Sequence, residues 1–394
     1  MLKRLHLLLA LFILTVNAAM AQITTSGISG KITSDGENVI GATVTATHQP
    51  SGTVYRAVTN IDGRYTIQGM RPGGPYKVDI SYIGYKDKVI KNLNLSLGET
   101  ENISCSLQED AHQLQEVVVS GKAGLAASRT GAATSMTAEQ INNMPSITHG
   151  IADVARLNPQ LTVTNSGNMS FAGVNNRYNN FMIDGAANND VFALASSGNH
   201  GGQAGAQPVS METIEQIQVS VAPFDVRQSG FTGGAINAIT KSGTNQFHGS
   251  AYYYGYNQDL IGTKYPYLDG TGYAPKYQKQ TQYNMGVTLG GPIIKNKLFF
   301  FANYERTNKE YPNLYGVDSG NSKVNTEQAK DILTMLQKIA EKQGVNFNDY
   351  YSNQDIYTKS DKAGLKLDWN INEFNKFAIR WSLVKAEQLS GGGS

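Results

Sequence analysis

The chain of 394 residues holds a single cysteine, Cys105, and only 11 prolines beside 41 glycines. One cysteine excludes an internal disulfide framework and any metal site built on thiolates. In "NISCSL" it reads as a small hydrophobe at a strand position. Charge is scarce too: 16% of residues are charged and the formal net charge is +2. That balance gives no electrostatic footprint for nucleic acid, and no long run of one sign marks a charged tail. No apolar run reaches the roughly 20 residues that a membrane helix needs. Catalytic signatures are missing as well. There is no H-E-x-x-H, no G-x-S-x-G and no G-x-x-x-x-G-K-[ST], and the six histidines show no metal-ligand spacing. No catalytic residue, metal or cofactor is therefore assigned, and the chain is not expected to be an enzyme.

What is present starts at the amino terminus. Lys3 and Arg4 precede the apolar "LHLLLALFILTV", and "AMA" closes at Ala21. A charged start, a short hydrophobic stretch and a small-x-small site read as a signal peptide over 1–21, with the mature chain beginning at Gln22 outside the cytoplasm. Cys105 lies far from that site and is no lipid attachment point.

From Ser26 to Leu107, short alternating runs are separated by Asp35-Gly36, Asp62-Gly63 and Gly73-Gly74, which read as turns because glycine accepts positive φ. Strands at this spacing predict a β-sandwich over about 22–110. The string "TNIDGRYTIQGMRPGGPYKVDISYIGYK" resembles the carboxypeptidase-regulatory-like domain, a transthyretin-like or starch-binding-like sandwich. That resemblance implies an inward-packed Tyr after the Asp-Gly turn and no catalysis. A docking module and an inert spacer both remain open as its role.

Residues 111–136 form a connecting segment. Leu114, Gln115, Glu116, Val117, Val118, Val119 and Ser120 are β-prone, and beyond them small residues dominate as in a flexible linker. An exposed β-prone segment beside a tether can add a strand to a partner's sheet. It can equally be a last strand of the sandwich. "EVVVSG" resembles the TonB box of TonB-dependent outer-membrane receptors, which implies contact with TonB over Leu114 to Ser120.

Over 137–245 the signals are mixed. Thr137 and Gln140 have capping-box spacing ahead of a short helix, and "THGIADVARLNP" gives a second one. "METIEQIQVSVAPFDVRQSGFTGGAINAITKSGTN" reads helix, strand, loop, strand. This α+β unit is poor in large apolar residues and is expected to need an enclosing structure. "NNFMIDGAANND" and the "IEQIQ…FTGGAINAITKSGTN" stretch resemble the plug of the same receptors, which implies structural roles for Ile183, Asp184, Gly185, Gly233, Gly234, Thr240, Lys241 and Gly243. Gln218 departs from that pattern, since an acidic residue is usual there. "APFDVRQSGF" resembles the Oar-like subgroup more than the starch-utilisation subgroup.

Past Gln246 the period becomes two. Tyr283, Met285, Val287 and Leu289 share one face of a strand, and Ala363, Leu365, Leu367 and Trp369 oppose Lys362, Lys366, Asp368 and Asn370 in another. A soluble antiparallel sheet also alternates in this way. The connections, however, run long, short, long, short, as in outer-membrane barrels with extracellular loops and periplasmic turns. The second long loop carries a helical face of Ala329, Ile332, Leu333, Leu336, Ile339 and Ala340 with a stop at Gly344.

The fold class expected is mostly β: an amino-terminal sandwich, an α+β plug and the first strands, about five of them, of a transmembrane antiparallel barrel over 246–394. Barrels with a filled lumen have roughly 22 strands, and lipid tolerates no open sheet edge, so the chain reads as the amino-terminal portion of a longer receptor. The resemblance implies energised uptake in the outer membrane of a Gram-negative bacterium. It implies TonB and outer-membrane lipid as partners, a large nutrient such as an oligopeptide or glycan as ligand, and room for a surface lipoprotein lid. The rival reading is a secreted adhesin or carbohydrate-binding protein without transport activity.

Overall fold

The computed structural model describes residues 24–109, 117–120, 132–144, 146, 149–164, 169–190, 195, 198–221, 231–260, 279–312, 326–344 and 356–389. The signal-peptide stretch, Leu114, Gln115 and Glu116 lie outside the described residues.

The first unit has strands β1 (Ser26–Ser34), β2 (Glu37–Asn38), β3 (Thr43–His48), β4 (Thr53–Val58), β5 (Arg64–Met70), β6 (Gly73–Ser81), β7 (Lys88–Leu95), β8 (Thr100–Asn102) and β9 (Cys105–Ser106). Positive φ at Asp35 (47°) and Gly36 (91°) folds β1 back on β2. One sheet is centred on β1, which pairs with β2 and β5 antiparallel and with β8 and β9 parallel. The other runs β7-β6-β3-β4. Alternate residues of the two sheets close a shared core of Ile28, Ile32, Val44, Tyr65, Tyr76, Val78, Ile80 and Leu93, with Cys105 packed at its margin. Tyr65, after the Asp-Gly turn, points inward and donates its hydroxyl to the Ile103 carbonyl at 2.8 Å. Gly73-Gly74 is not a turn. It opens β6, where the register with β7 is irregular and Gly73 has φ 94°, because glycine serves an irregular strand start as readily as a turn.

His48 lies buried at the end of β3, its Nδ1 2.6 Å from Ser51 Oγ, and that hydroxyl lies 2.7 Å from Thr53 Oγ1. Burial, helped by the Arg71 charge, lowers its pKa from 6.5 to about 3. The folded ring therefore stays neutral while the unfolded ring takes up a proton below about pH 6.5. Stability is complete above that pH and is lost as pH falls towards 3, by about 2 kcal/mol at pH 5. Hydrogen-exchange protection of the β3 and β6 amides should drop by this amount between pH 7 and 5, and His48→Gln should remove most of that drop.

A second unit contains β11 (Ala132–Thr137), α1 (Ala138–Asn142), α2 (Ile151–Ala155), β12 (Leu161–Val163), β13 (Met169–Phe171), β14 (Asn180–Ile183), β15 (Ala186–Ala187), β16 (Ile214–Val221) and β17 (Gly234–Thr240). Before these in the chain comes β10 (Val117–Ser120), which lies parallel to β7 with Val117 opposite Lys88 and Ser120 opposite Lys91. Thr137 caps α1 in a reciprocal box with Gln140. The central sheet runs β11-β16-β17-β14-β15, with β14 parallel to β17. Residues 132–136, expected as the end of a linker, thus join Thr137 in an edge strand of this sheet; small residues suffice where pairing is the contribution. A core of Ile141, Ile151, Val154, Phe171, Ile183, Ile217, Val219 and Ile236 packs beneath it.

The third unit is a wall of five strands: β18 (His248–Asn257), β19 (Thr281–Ile294), β20 (Leu298–Tyr311), β21 (Ile356–Asn370) and β22 (Lys376–Leu389), each antiparallel to the next. Three-residue and five-residue links join β19 to β20 and β21 to β22 at one end. Helix α3 (Thr326–Lys342) stands in the long connection at the other end, followed by Gly344 at φ 64°. The wall buries its polar face: Gln282, Asn284, Thr288, Glu305, Thr307, Ser360 and Lys362 are inside. Met285, Val287, Leu289, Leu365, Phe377, Ile379, Trp381 and Leu383 are exposed on the other side. A soluble sheet does the reverse, whereas a barrel in lipid requires this inversion.

Candidate functional site

Two charge clusters join the α+β unit to the wall. Glu305 of β20 and Lys362 of β21 are register neighbours, and both are nearly buried, at 6% and 5% exposure. Lys362 Nζ donates to Glu305 Oε1 at 2.5 Å. The hydroxyls of Ser210 and Tyr252 both donate to Oε2, at 2.6 and 2.7 Å. Ser210 comes from the loop before β16 and Tyr252 from β18, so one carboxylate gathers three wall strands, its own included, and the α+β unit. Every oxygen of that carboxylate is partnered, the condition under which a buried charge is tolerated.

The second cluster is built on Asp184, directly after β14. Its φ is 48° and that of Gly185 is 80°, which turns the chain so that the carboxylate faces β17 and the wall. The Thr240 amide donates to Oδ1 at 2.9 Å and the Thr240 hydroxyl to Oδ2 at 2.6 Å. Lys366 Nζ stands 3.3 Å from Oδ1 and Arg380 Nε 3.4 Å from Oδ2. Lys366 and Arg380 are themselves register partners on β21 and β22. Asp184 is a clamp between sheet and wall, with no geometry for proton transfer or metal binding. Among the described residues no group of three or more His, Cys, Asp or Glu side chains is placed to hold a metal ion.

The sandwich is seated against both other units. Gln216 of β16 receives the Leu97 amide proton at Oε1 (2.8 Å) and donates from Nε2 to the Leu95 carbonyl (3.0 Å). Gln218, one strand period on, donates from Nε2 to the Leu97 carbonyl at 2.9 Å. Both glutamines are buried by this seam. At the short-turn end of the wall, Arg56 grips Glu373 through two bonds of 2.7 and 2.8 Å, Arg71 pairs with Asp368 at 3.3 Å, and Asn370 Nδ2 donates to Thr53 Oγ1 at 2.8 Å. A cavity of about 390 Å³ remains where the three units meet, lined by His48, Arg71, Asp184, Glu215, Lys366 and Trp369 among others.

Three family descriptions match the chain in the order of these units. They are the carboxypeptidase regulatory-like domain over 27–108, the TonB-dependent receptor plug domain over 126–236 and an outer membrane β-barrel domain over 239–319. The TonB-dependent transporter Oar of Myxococcus xanthus is 29% identical over 273 residues, covering 66% of this chain and 24% of that protein. Over these three domains the chain is similar to the Oar-like TonB-dependent receptors. The probable TonB-dependent siderophore receptor PirA of Acinetobacter baumannii is 25% identical over 186 residues, 44% of this chain and 22% of that one. The crystal structure of the siderophore receptor PirA from the same species superposes with a TM-score of 0.45 at 20% identity, covering 66% of this chain and 32% of that one. The chain spans about a quarter of the length of the curated relatives it matches. An outer-membrane location follows from the matched plug and barrel domains.

In this chain the residues singled out from sequence fall in three places. Ile183, Asp184, Gly185 and Thr240 meet at the β14–β17 end, and the Lys241 amide donates to the Thr213 carbonyl at 2.7 Å. Gly234 opens β17 where a Cβ would enter the Phe171 ring, and Gly243 sits where a Cβ would strike the Phe300 and Gly291 carbonyls of the wall. Gly233 lies against Asn179 in the same manner. Val117 to Ser120 are elsewhere, on the sandwich edge. Sequence reasoning missed Ser210, Tyr252 and Glu305 as a cluster, although alternation sets Glu305 on the face opposite Ala302 and Tyr304. It noted Gln218 only as a departure. The structure supplies the reason: an amide donates to the Leu97 carbonyl, which a carboxylate would repel. Gln218→Glu should therefore weaken the seam by about 1–3 kcal/mol. Limited proteolysis between sandwich and plug should accelerate accordingly, while Gln218→Asn should fall between the two.

Proposed function

We propose that the chain supplies the plug, the first wall strands and the periplasmic sandwich of an outer-membrane transporter that takes up a large nutrient, such as an oligopeptide or glycan, with energy delivered by TonB. The observation that carries this reading is the inverted wall. Its apolar face is turned outward and its polar face is locked to the plug through Glu305 and Asp184. Such locks hold a lumen closed until work is done on the plug. Domain limits on this reading are a sandwich over 22–110, a segment over 111–136 carrying the TonB contact at Leu114 to Ser120, a plug over 137–245 and wall strands over 246–394. A surface lipoprotein lid over the long loops fits the same arrangement. Nothing in the proposed cycle needs a catalytic residue or a cofactor, and export relies on the signal peptide over 1–21.

Outer membranes of the host are fractionated, and the purified receptor is tested against the periplasmic domain of the host's TonB. Binding that disappears on Val118→Pro and Val119→Pro, with heat-modifiable gel mobility retained, supports the reading. A species soluble without detergent and indifferent to TonB would overturn it in favour of a secreted binding protein.

A further inference from the structure

The cavity where the three units meet holds two charges that the locks described above do not use. Asp184 pairs with Lys366 there, and Asp368 with Arg71. Glu215 of β16 and Lys376 of β22 line the same cavity. Among the described residues neither has an oppositely charged side chain within ion-pair distance, and they are not paired with each other. Glu215 is the extra residue of a β-bulge: Ile214 pairs with Thr240 and Gln216 with Ile239, so nothing on β17 stands opposite it. A bulge re-aims the side chain it carries. The sandwich leaves room for that side chain, since Glu215 Oε1 lies 3.2 Å from the point where a Cβ on Gly73 would be. Lys376 Nζ stands 3.8 Å from the centre of the Tyr55 ring, and the hydroxyl of the same tyrosine accepts the Arg71 amide proton at 3.2 Å. The Arg71 guanidinium meets Asp368 through Nη2, and its other N–H groups remain to donate. The wall side of the cavity includes Trp369 and Phe377, register partners that are half-exposed, and Phe374 is exposed in the turn between their strands. These aromatics lie at the short-turn end, where a barrel meets the periplasmic leaflet.

We propose that this cavity binds the headgroup of a phospholipid carrying both a phosphate and a primary ammonium, a phosphoethanolamine lipid of the periplasmic leaflet. The phosphate oxygens accept from Lys376 and Arg71, the ammonium donates to Glu215, and the acyl chains run along Trp369 and Phe377. A volume of about 390 Å³ suits a headgroup, since small-molecule sites run from roughly 300 to 1,000 Å³. A purely anionic ligand would satisfy Lys376 and be repelled by Glu215, and a purely cationic one would do the reverse. A ligand with both charges answers both residues, and basic pockets at a membrane face hold lipid headgroups in this way. A lipid bound here ties sandwich, plug and wall together at the membrane surface. The site rests on the outer-membrane location and on these contacts. It is independent of how uptake is energised and of what is taken up.

The test is native mass spectrometry of the full-length protein in detergent. It is titrated with phosphatidylethanolamine, phosphatidylcholine and phosphatidylglycerol of matched chains, and with soluble glycerophosphoethanolamine. Wild type is expected to retain one phosphatidylethanolamine with at least about tenfold preference over the other two lipids. The quaternary choline has no N–H for Glu215, and phosphatidylglycerol has no cation. Glu215→Gln should erase the preference while lipid still binds, and Lys376→Met should weaken all three lipids by about tenfold. Retained heat-modifiable gel mobility shows that each variant is folded; where one is not, the other is read alone. Equal binding of the three lipids by wild type overturns the proposal. So does a preference unchanged in Glu215→Gln, or lipid binding undiminished in Lys376→Met. Glycerophosphoethanolamine binding as tightly as the lipid overturns the membrane source and leaves a soluble phosphate ester as the occupant.

Discussion

Glu305→Ala is expected to cost the plug–wall junction about 3–5 kcal/mol, because it leaves Lys362 buried without its counter-charge. The hydroxyls of Ser210 and Tyr252 lose their acceptor in the same step and retain only each other, at 2.9 Å. The effect should appear as a fall of roughly 10 °C in the temperature at which the plug of the assembled receptor becomes sensitive to trypsin. Charge burial, and not the loss of one contact, is the cause, and this has a consequence. Glu305→Leu combined with Lys362→Met removes both charges and should recover most of the loss. A double variant as unstable as Glu305→Ala would show that the junction depends on the hydrogen bonds of Glu305 itself.

Asp184→Ala should be the second largest effect, with a different signature. It removes the acceptor for the Thr240 amide and hydroxyl and the counter-charge of Lys366 and Arg380 together. These cations are partly exposed, so water compensates some of the loss, and a cost of about 2–3 kcal/mol is expected. The change should be local: faster hydrogen exchange in β14 and β17, and brief open events in planar-bilayer recordings of the whole receptor. Asp184→Asn still offers one carbonyl oxygen to Thr240 but no charge to the wall. It should keep the β14–β17 protection while showing the openings. Identical behaviour of the alanine and asparagine variants would mean that the ion pairs contribute nothing.

Much of this architecture was legible because its cues are local. Thr137 and Gln140 announced the α1 cap, the Asp-Gly pairs announced sandwich turns, and Lys362, Lys366 and Asp368 fell on one face of β21 by simple alternation. Gly234 and Gly243 were marked by a motif, and the structure shows what crowds them: a Phe171 ring in one case and wall carbonyls in the other. What escaped has partners far along the chain. Glu305 meets Ser210 and Tyr252 across 95 and 53 residues, and Gln216 and Gln218 meet the sandwich across about 120. A polar residue on an inward face looks the same in sequence whether it meets water, a substrate or a carbonyl of another domain. The edge strand β11 was hidden for a related reason, since "AATSMT" has no side-chain period to betray it and pairs by backbone alone.

The amino-acid sequence by itself determined the order of units, the two periodicities, the Asp-Gly turns and the family resemblance. All of these follow from backbone propensities and side-chain patterns within a few residues. Only the tertiary structure decided which face of the wall is buried, because alternation is the same for a soluble sheet and a barrel, and burial is a property of what stands opposite. It also decided that Asp184 is a clamp, that Gln218 needs to be an amide, and that Val117 to Ser120 lie against β7. Each of these depends on a charge or hydrogen-bonding group brought close by folding, and the energy of such groups is set by their neighbours in space.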